Sequence, residues 1–184
     1  MTPIETTEQI QVHDLTFKMY LPAADIQQKV KELSVQLTND YKDKKPLFVA
    51  ILNGSFIFAA DITRACDFDS DITFVKFSSY EGTGSTGHVK SLIGLNESIE
   101  GRDLIIIEDI VDTGKTLSHF LKHLEELKPA SVTLVTLLLK PEVFKHQFPI
   151  QYCGFEIPNK FVIGYGLDYN GRGRTFEGIY QLCE

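Results

Sequence analysis

Cysteine is scarce: the chain has three, Cys66, Cys153 and Cys183, an odd number, widely spaced and without a Cys-x-x-Cys pair. That pattern excludes a disulfide framework and a thiolate zinc site, and it reads as reduced thiols in a cytoplasmic protein. Long apolar runs are lacking too, none approaching the roughly 20 residues of a membrane span. The start of the chain, Met1 to Gln11, carries acidic residues and no basic cluster, unlike a secretion signal. Basic excess is missing as well: 18 Lys and Arg stand against 25 Asp and Glu, a net charge of −7. Proteins that track phosphate polymers carry a basic face, so nucleic acid is disfavoured as a partner. Any phosphate held here must be held by local geometry and a metal, which favours a small phosphorylated ligand.

What is present suits a globular enzyme-sized unit. The 184 residues make one domain, and the 43% hydrophobic and 23% charged content excludes disorder. No repeat or linker divides the chain. Ile10 to Leu21 alternates as one early strand with a register change near His13-Asp14. Pro22 opens a helix with Ile26, Val30, Leu33, Leu37 and Tyr41 at helical spacing. The Lys42 to Lys45 stretch after it reads as a solvated loop. Leu47 to Leu52 and Leu104 to Ile107 are wholly apolar, as buried parallel strands are. Phe56 to Cys66 reads as a helix; Ile72 to Phe77 and Val89 to Leu95 read as strands around a Gly/Ser/Thr-rich connection, 78–87. A helix from about Gly114 carries Leu117, Phe120, Leu121, Leu124 and Leu127 on one face; Val132 to Leu139, Phe161 to Leu167 and Gly178 to Leu182 are strand-like. The sum predicts an α/β fold: a central parallel sheet flanked by helices on both faces, with ligands at the carboxyl ends of its strands.

The chemistry concentrates in LIIIEDIVDTGKTL, Leu104 to Leu117. An apolar strand stops, acidic residues follow, and a glycine turn opens a helix. The backbone N–H groups from Thr113 to Leu117, with the hydroxyls of Thr113 and Thr116, can wrap a phosphate at the helix's positive end. The plainer alternative is an ordinary strand–turn–helix junction capped by Asp112 or Thr113; the acidic pair just upstream favours the ligand site. Two literal motif matches fail. Gly114-Lys115-Thr116 resembles a P-loop, but that motif needs glycine where Asp109 stands. Gly82 to Gly87 spells GxGxxG but leads into strand-like His88 to Leu92, so it reads as a lid and not a dinucleotide loop. His119 and His123 have metal-pair spacing, yet they lie off the helix's apolar stripe and read as solvated. Asp168, beside a buried strand, needs a partner.

Strand–Glu–Asp–x–x–Asp–Thr–Gly–Lys–Thr resembles the phosphoribosyl pyrophosphate signature of type I phosphoribosyltransferases. With the Leu-x-Gly-Ser loop at 52–55, Ser79-Tyr80, Lys140 and PNKFVIGYGLDYN at 158–170, it resembles the hypoxanthine(-guanine) phosphoribosyltransferase family over nearly the whole chain. The resemblance implies a single domain, 1–184, with a small hood from the N- and C-terminal segments and a flexible lid. It implies magnesium-dependent transfer of a ribose 5-phosphate unit from phosphoribosyl pyrophosphate to hypoxanthine, and to guanine, with release of pyrophosphate. Glu108 and Asp109 then match the ribose-hydroxyl and metal carboxylates, joined by Asp168 at the metal. Asp112 matches the general acid/base beside the purine nitrogen, and Thr113, Gly114, Lys115, Thr116 and Leu117 the 5-phosphate loop to which Asp112 also belongs. Leu52, Asn53, Gly54 and Ser55 match the pyrophosphate loop, whose Leu–x peptide can be cis. Asn53 stands where lysine is common in the family, so that position brings no charge. Either Arg172 or Arg174 supplies the pyrophosphate contact, Arg174 being favoured by its spacing from Asp168. Lys140 matches the donor to the purine 6-oxygen, Phe161 the stacking ring, Val162 a backbone reader of the base edge, and Ser79 and Tyr80 the lid. The family also implies a homodimer or homotetramer. Two alternatives compete: a nucleotide-sensing RNA-binding regulator on the same fold, disfavoured by charge and by Lys140 with Phe161, and a transferase for xanthine or a pyrimidine. Lys140, with donors only, disfavours cytosine-like amino groups.

Overall fold

A computed structural model describes residues 9–78, 90–95, 98–145 and 148–183. The chain opens with a hairpin, β1 (Gln9–Val12) and β2 (Leu15–Leu21), followed by α1 (Ala23–Tyr41), β3 (Leu47–Leu52), α2 (Phe56–Ala65), β4 (Asp71–Ser78) and β5 (Lys90–Ile93). The signature strand β6 (Asp103–Val111), α3 (Lys115–Glu126) and β7 (Ser131–Leu139) come next, then β8 (Tyr152–Glu156), β9 (Val162–Ile163) and β10 (Ile179–Leu182).

Six strands form the main sheet in the order β5-β4-β3-β6-β7-β8. All neighbours run parallel except β5, which pairs antiparallel with β4 at the edge. The period-two pleat divides its side chains between two cores. Phe48, Ala50, Ile105 and Ile107 pack with Ile26, Leu33 and Leu37 of α1 and Phe58 and Ile62 of α2. Leu47, Val49, Leu104 and Ile106 pack with Leu117, Phe120 and Leu124 of α3. Helices therefore cover both faces, as the uninterrupted apolar strands require. All five apolar positions expected on α1, Ile26 to Tyr41, are buried. Pro22 stands just ahead of this helix in extended conformation, and its carbonyl accepts the N–H of Asp25 and Ile26.

Four further strands make a second, antiparallel sheet in the order β1-β2-β10-β9, joining the two ends of the described chain. Three local expectations are corrected here. Ile10 to Leu21 is not one strand but a hairpin: Val12 pairs with Leu15, and His13 at φ 53° turns the chain. The acidic pair does not follow β6 but lies inside it, because main-chain pairing with β7 continues from Glu108 opposite Thr136 to Val111 opposite Leu139. Phe161 to Leu167 is strand only over β9, because Gly164, Tyr165 and Gly166 turn the chain at positive φ; β8, with the mixed sequence YCGFE, carries no periodic signal and adds to the edge of β7.

The carboxyl ends of β3, β6 and β7 deliver Asn53, Asp112 and Lys140 to one end of the sheet. The antiparallel sheet supplies the opposite wall through Phe161 and Val162.

Candidate active site

Two adjoining cavities lie at this end. The smaller, about 130 Å³, is lined by Glu108 and residues 110–117. The larger, about 250 Å³, is lined by Gly54, Asp109, Ile110, Asp112, Lys140, Phe161, Val162, Leu167, Asp168 and Arg174. Ile110 and Asp112 line both. Segments far apart in sequence thus meet around one space.

The smaller cavity is a nest of backbone donors. Gly114 adopts the left-handed conformation, φ 77°, which lets the chain turn from β6 directly into α3. Ser118 N–H bonds Gly114 O at 2.8 Å, and Lys115 N–H reaches Thr113 Oγ1 at 3.5 Å. The N–H groups of Gly114, Thr116 and Leu117 have no partner among the described residues. No acidic side chain occupies the first turn of α3. Free donors, the helix dipole and two threonine hydroxyls make an anion cradle.

The pleat of β6 separates the acidic pair. Glu108 faces the smaller cavity and Asp109 the larger. Glu108 Oε2 is shut off from solvent and has no hydrogen-bond partner among the described residues. Burial, and then the charge of Asp109, raise the Glu108 carboxyl well above the ordinary range. Burial likewise raises Asp109 to about 6, against the lowering influence of its own and Ile110's N–H groups and of Arg174. Its carboxylate fills the space above Gly54, where a Cβ would fall 1.6 Å from Oδ2. Lys140 is buried at 6% exposure, and its Nζ lies 3.2 Å from Asp112 Oδ2. The expected base donor and the expected general acid/base are thus one ion pair across the cavity.

The loop that carries Asp168 docks on the β3–α2 loop. Gly166, at φ 104°, has Gly54 O where its Cβ would be, 1.9 Å away. Tyr165 Oη donates to Asp61 Oδ2 at 2.6 Å, fastening this loop to α2. Arg174 donates through Nη1 to Gly166 O at 2.7 Å and pairs through Nη2 with Asp168 Oδ1 at 2.6 Å. Asp168 Oδ2 accepts the Gly171 N–H at 2.7 Å. Of the two candidate arginines, Arg174 lines the cavity while Arg172 is exposed outside it.

Phe161 is 42% exposed, and its ring is backed by Phe17 and Tyr169. Val162 is placed to use its backbone. Leu182 N–H bonds Phe161 O at 2.9 Å, so Val162 and Gln181 form the alternate, non-hydrogen-bonded pair. The Val162 N–H and C=O then point away from β10, toward the unpaired edge of β9.

Leu52, Asn53 and Ser55 are absent from the cavity linings. The Leu52–Asn53 peptide is cis, and the buried Ser55 hydroxyl is engaged with Ile51 O at 2.6 Å, leaving that residue only its backbone for a ligand. Ser79 and Tyr80, and the GxGxxG stretch behind them, lie outside the described residues. His119 and His123 are exposed on α3. The apolar lining residues Ile110 and Leu167 went unnoticed in the sequence, because a hydrophobic residue at a strand end carries no mark that separates cavity wall from core.

Comparison with known proteins agrees with this geometry. The model of the phosphoribosyl transferase domain family matches residues 17–170. A hypoxanthine-guanine phosphoribosyltransferase of Bacillus subtilis is 43% identical over 171 residues, covering 92% of this chain and 94% of that protein. A hypoxanthine-guanine-xanthine phosphoribosyltransferase of Tritrichomonas foetus is 39% identical, over 87% of this chain and 88% of its own. The crystal structure of a hypoxanthine-guanine phosphoribosyltransferase from Bacillus anthracis superposes with a TM-score of 0.85 at 37% identity, covering 90% of this chain and 98% of that one. Fold, cradle and sequence converge: the chain belongs to the hypoxanthine-guanine phosphoribosyltransferase family.

Proposed function

We propose that this protein is a purine-salvage transferase that moves the 5-phosphoribosyl group of phosphoribosyl pyrophosphate onto hypoxanthine and guanine, yielding the nucleoside 5'-monophosphate and pyrophosphate. One observation carries the reading: an anion cradle and a purine-sized, lysine-bearing cavity share the wall formed by Ile110 and Asp112. A sugar 5-phosphate in the cradle places its ribose along that wall, between base and diphosphate.

The bond from the anomeric carbon to the diphosphate oxygen breaks as the bond to the purine nitrogen forms, through an oxocarbenium-like transition state. Asp112 takes the proton that the purine nitrogen loses, and its ion pair with Lys140 holds the carboxylate in place. Lys140 donates to the 6-oxygen; an ammonium has no acceptor to offer a 6-amino group. Phe161 stacks on the base while the outward N–H and C=O of Val162 read its edge. The amides of the 53–55 loop and Arg174 receive the diphosphate. Glu108 reaches the ribose from the cradle side and Asp109 from the other.

The donor set fits magnesium. Among the described residues no three His, Cys, Asp or Glu side chains converge, so the chain builds no cage of its own. Asp109 and Asp168 offer hard oxygens in one cavity, and Mg²⁺ takes one or two carboxylates with substrate oxygens and water completing its shell. Bound there, it would offset charge on the diphosphate. Ser79 and Tyr80 serve as the lid that keeps water from the ribosyl carbon. The protein acts as a single 1–184 domain, the terminal sheet being its hood, in the cytoplasm and as a homodimer or homotetramer. Among the described residues no helix is long and apolar enough to cross a membrane.

The test is product formation from phosphoribosyl pyrophosphate and Mg²⁺ with hypoxanthine, guanine, xanthine or adenine. Hypoxanthine and guanine should give nucleotide and pyrophosphate in equal amounts, and adenine at least about 100-fold less. Absence of nucleotide with every base overturns the proposal, and preference for xanthine corrects its substrate.

A further inference from the structure

The hairpin turn His13-Asp14 precedes the segment matched by the family model, residues 17–170, yet it touches the purine platform. Tyr169 Oη donates a 2.9 Å hydrogen bond to Asp14 Oδ1, across 155 residues of sequence. The His13 ring packs edge-on against the same tyrosine, centroids 5.6 Å apart at 77°. Tyr169 in turn meets Phe161 edge-on, 5.9 Å and 81°. Phe17, fully buried, closes a triangle of rings at 6.1 Å from Phe161 and 6.4 Å from Tyr169. Phe161 thus leans on two rings, and its exposed part lies at the larger cavity.

We infer that Asp14, acting through Tyr169, is a positioning residue for Phe161 and thereby sets the affinity of the site for its base. The inference rests on the reading of Phe161 as the purine's stacking partner. Stacking depends on tilt and offset, so a platform that can rock binds less well than a fixed one. Phe17 is fixed by burial. Tyr169 is half-buried on a loop, and its hydroxyl tie to Asp14 is what fixes the second prop. Asp14 is exposed on a turn, so replacing it leaves the core intact.

Because Asp168 adjoins Tyr169, the test must separate base from diphosphate. Steady-state KM for hypoxanthine, KM for phosphoribosyl pyrophosphate, kcat and melting temperature are measured for Asp14→Ala, Asp14→Asn, Tyr169→Phe, the Asp14→Ala/Tyr169→Phe double variant and Phe161→Leu. Asp14→Ala and Tyr169→Phe should each raise the hypoxanthine KM about three- to tenfold, with the other constants within about twofold. The double variant should be no worse than either single one, and Asp14→Asn, which keeps an acceptor oxygen, should stay near the parent. If Phe161→Leu raises the base KM while neither single variant does, the positioning role fails and the stacking reading stands. Additive effects, or both KM values rising together, would likewise overturn the role. A base KM indifferent to Phe161→Leu removes the stacking reading and this inference with it.

Discussion

Asp112 and Asp109 are three residues apart on the signature segment and stand in different environments. Asp112 is half-exposed and paired with Lys140, so it is held in position without being sealed off. Asp112→Asn keeps the shape and removes the proton acceptor; kcat should fall by about 10²–10⁴ while donor binding, measured by calorimetry, stays within about threefold. Turnover equal to the parent would remove Asp112 from the chemistry. Asp109 carries a cost in the ligand-free protein. Its folded-state pKa of about 6 lies above the unfolded value near ~3.9, so the folded protein binds the extra proton between them. The contribution of this group to stability is therefore fully present below pH ~4 and is lost as pH rises through about 6. In chelator, the Asp109→Asn variant should melt higher than the parent at pH 7 and show a shallower decline between pH 4.5 and 6.5. Equal slopes in the two proteins would contradict the burial argument. These residues were legible as types, since carboxylates and a lysine at strand ends have few structural uses. Their division between two cavities was not, because it depends on β6 continuing past Ile107.

At the scale of elements, the site is made by two loops in close contact. Gly166 sits on the carbonyl of Gly54, and Gly54 leaves room for the Asp109 carboxylate. A methyl at 166 meets backbone, not a side chain that can swing away, and φ there is left-handed. Gly166→Ala should destabilise the protein by about 1–3 kcal/mol and weaken diphosphate-donor binding, as denaturant melts and titration would report; unchanged binding with unchanged stability would mean the loops do not dock this way. Periodicity found the elements buried on one face or on both: α1 from Ile26 to Tyr41, β3, and the core of β6. It missed the β1–β2 turn, since His13 and Asp14 are not the glycine-rich pair that announces a hairpin. It missed β8 because Gly154 and Glu156 break the pattern, and the strand owes its place to pairing with β7.

The whole molecule is a large, mainly parallel sheet that carries the proposed phosphate site and a small antiparallel one that carries the proposed base platform. The first was readable because its strands are continuous apolar runs bounded by local signals. The second joins residues 9–21 to 162–182, and such pairing between chain ends leaves no trace in local spacing. Family resemblance supplied its existence and the expected roles of Lys140 and Phe161, while the ring triangle around Phe161 came only from the folded chain. The net charge of −7 fits a protein that grips one small anion at one place. The most direct test of that claim is a crystal structure with phosphoribosyl pyrophosphate, Mg²⁺ and a purine analogue lacking the reactive nitrogen. The 5-phosphate should lie against the amides of residues 113–117, the diphosphate against Gly54 and Arg174, and the analogue on Phe161. A sugar phosphate bound at any other place on the protein would contradict the account.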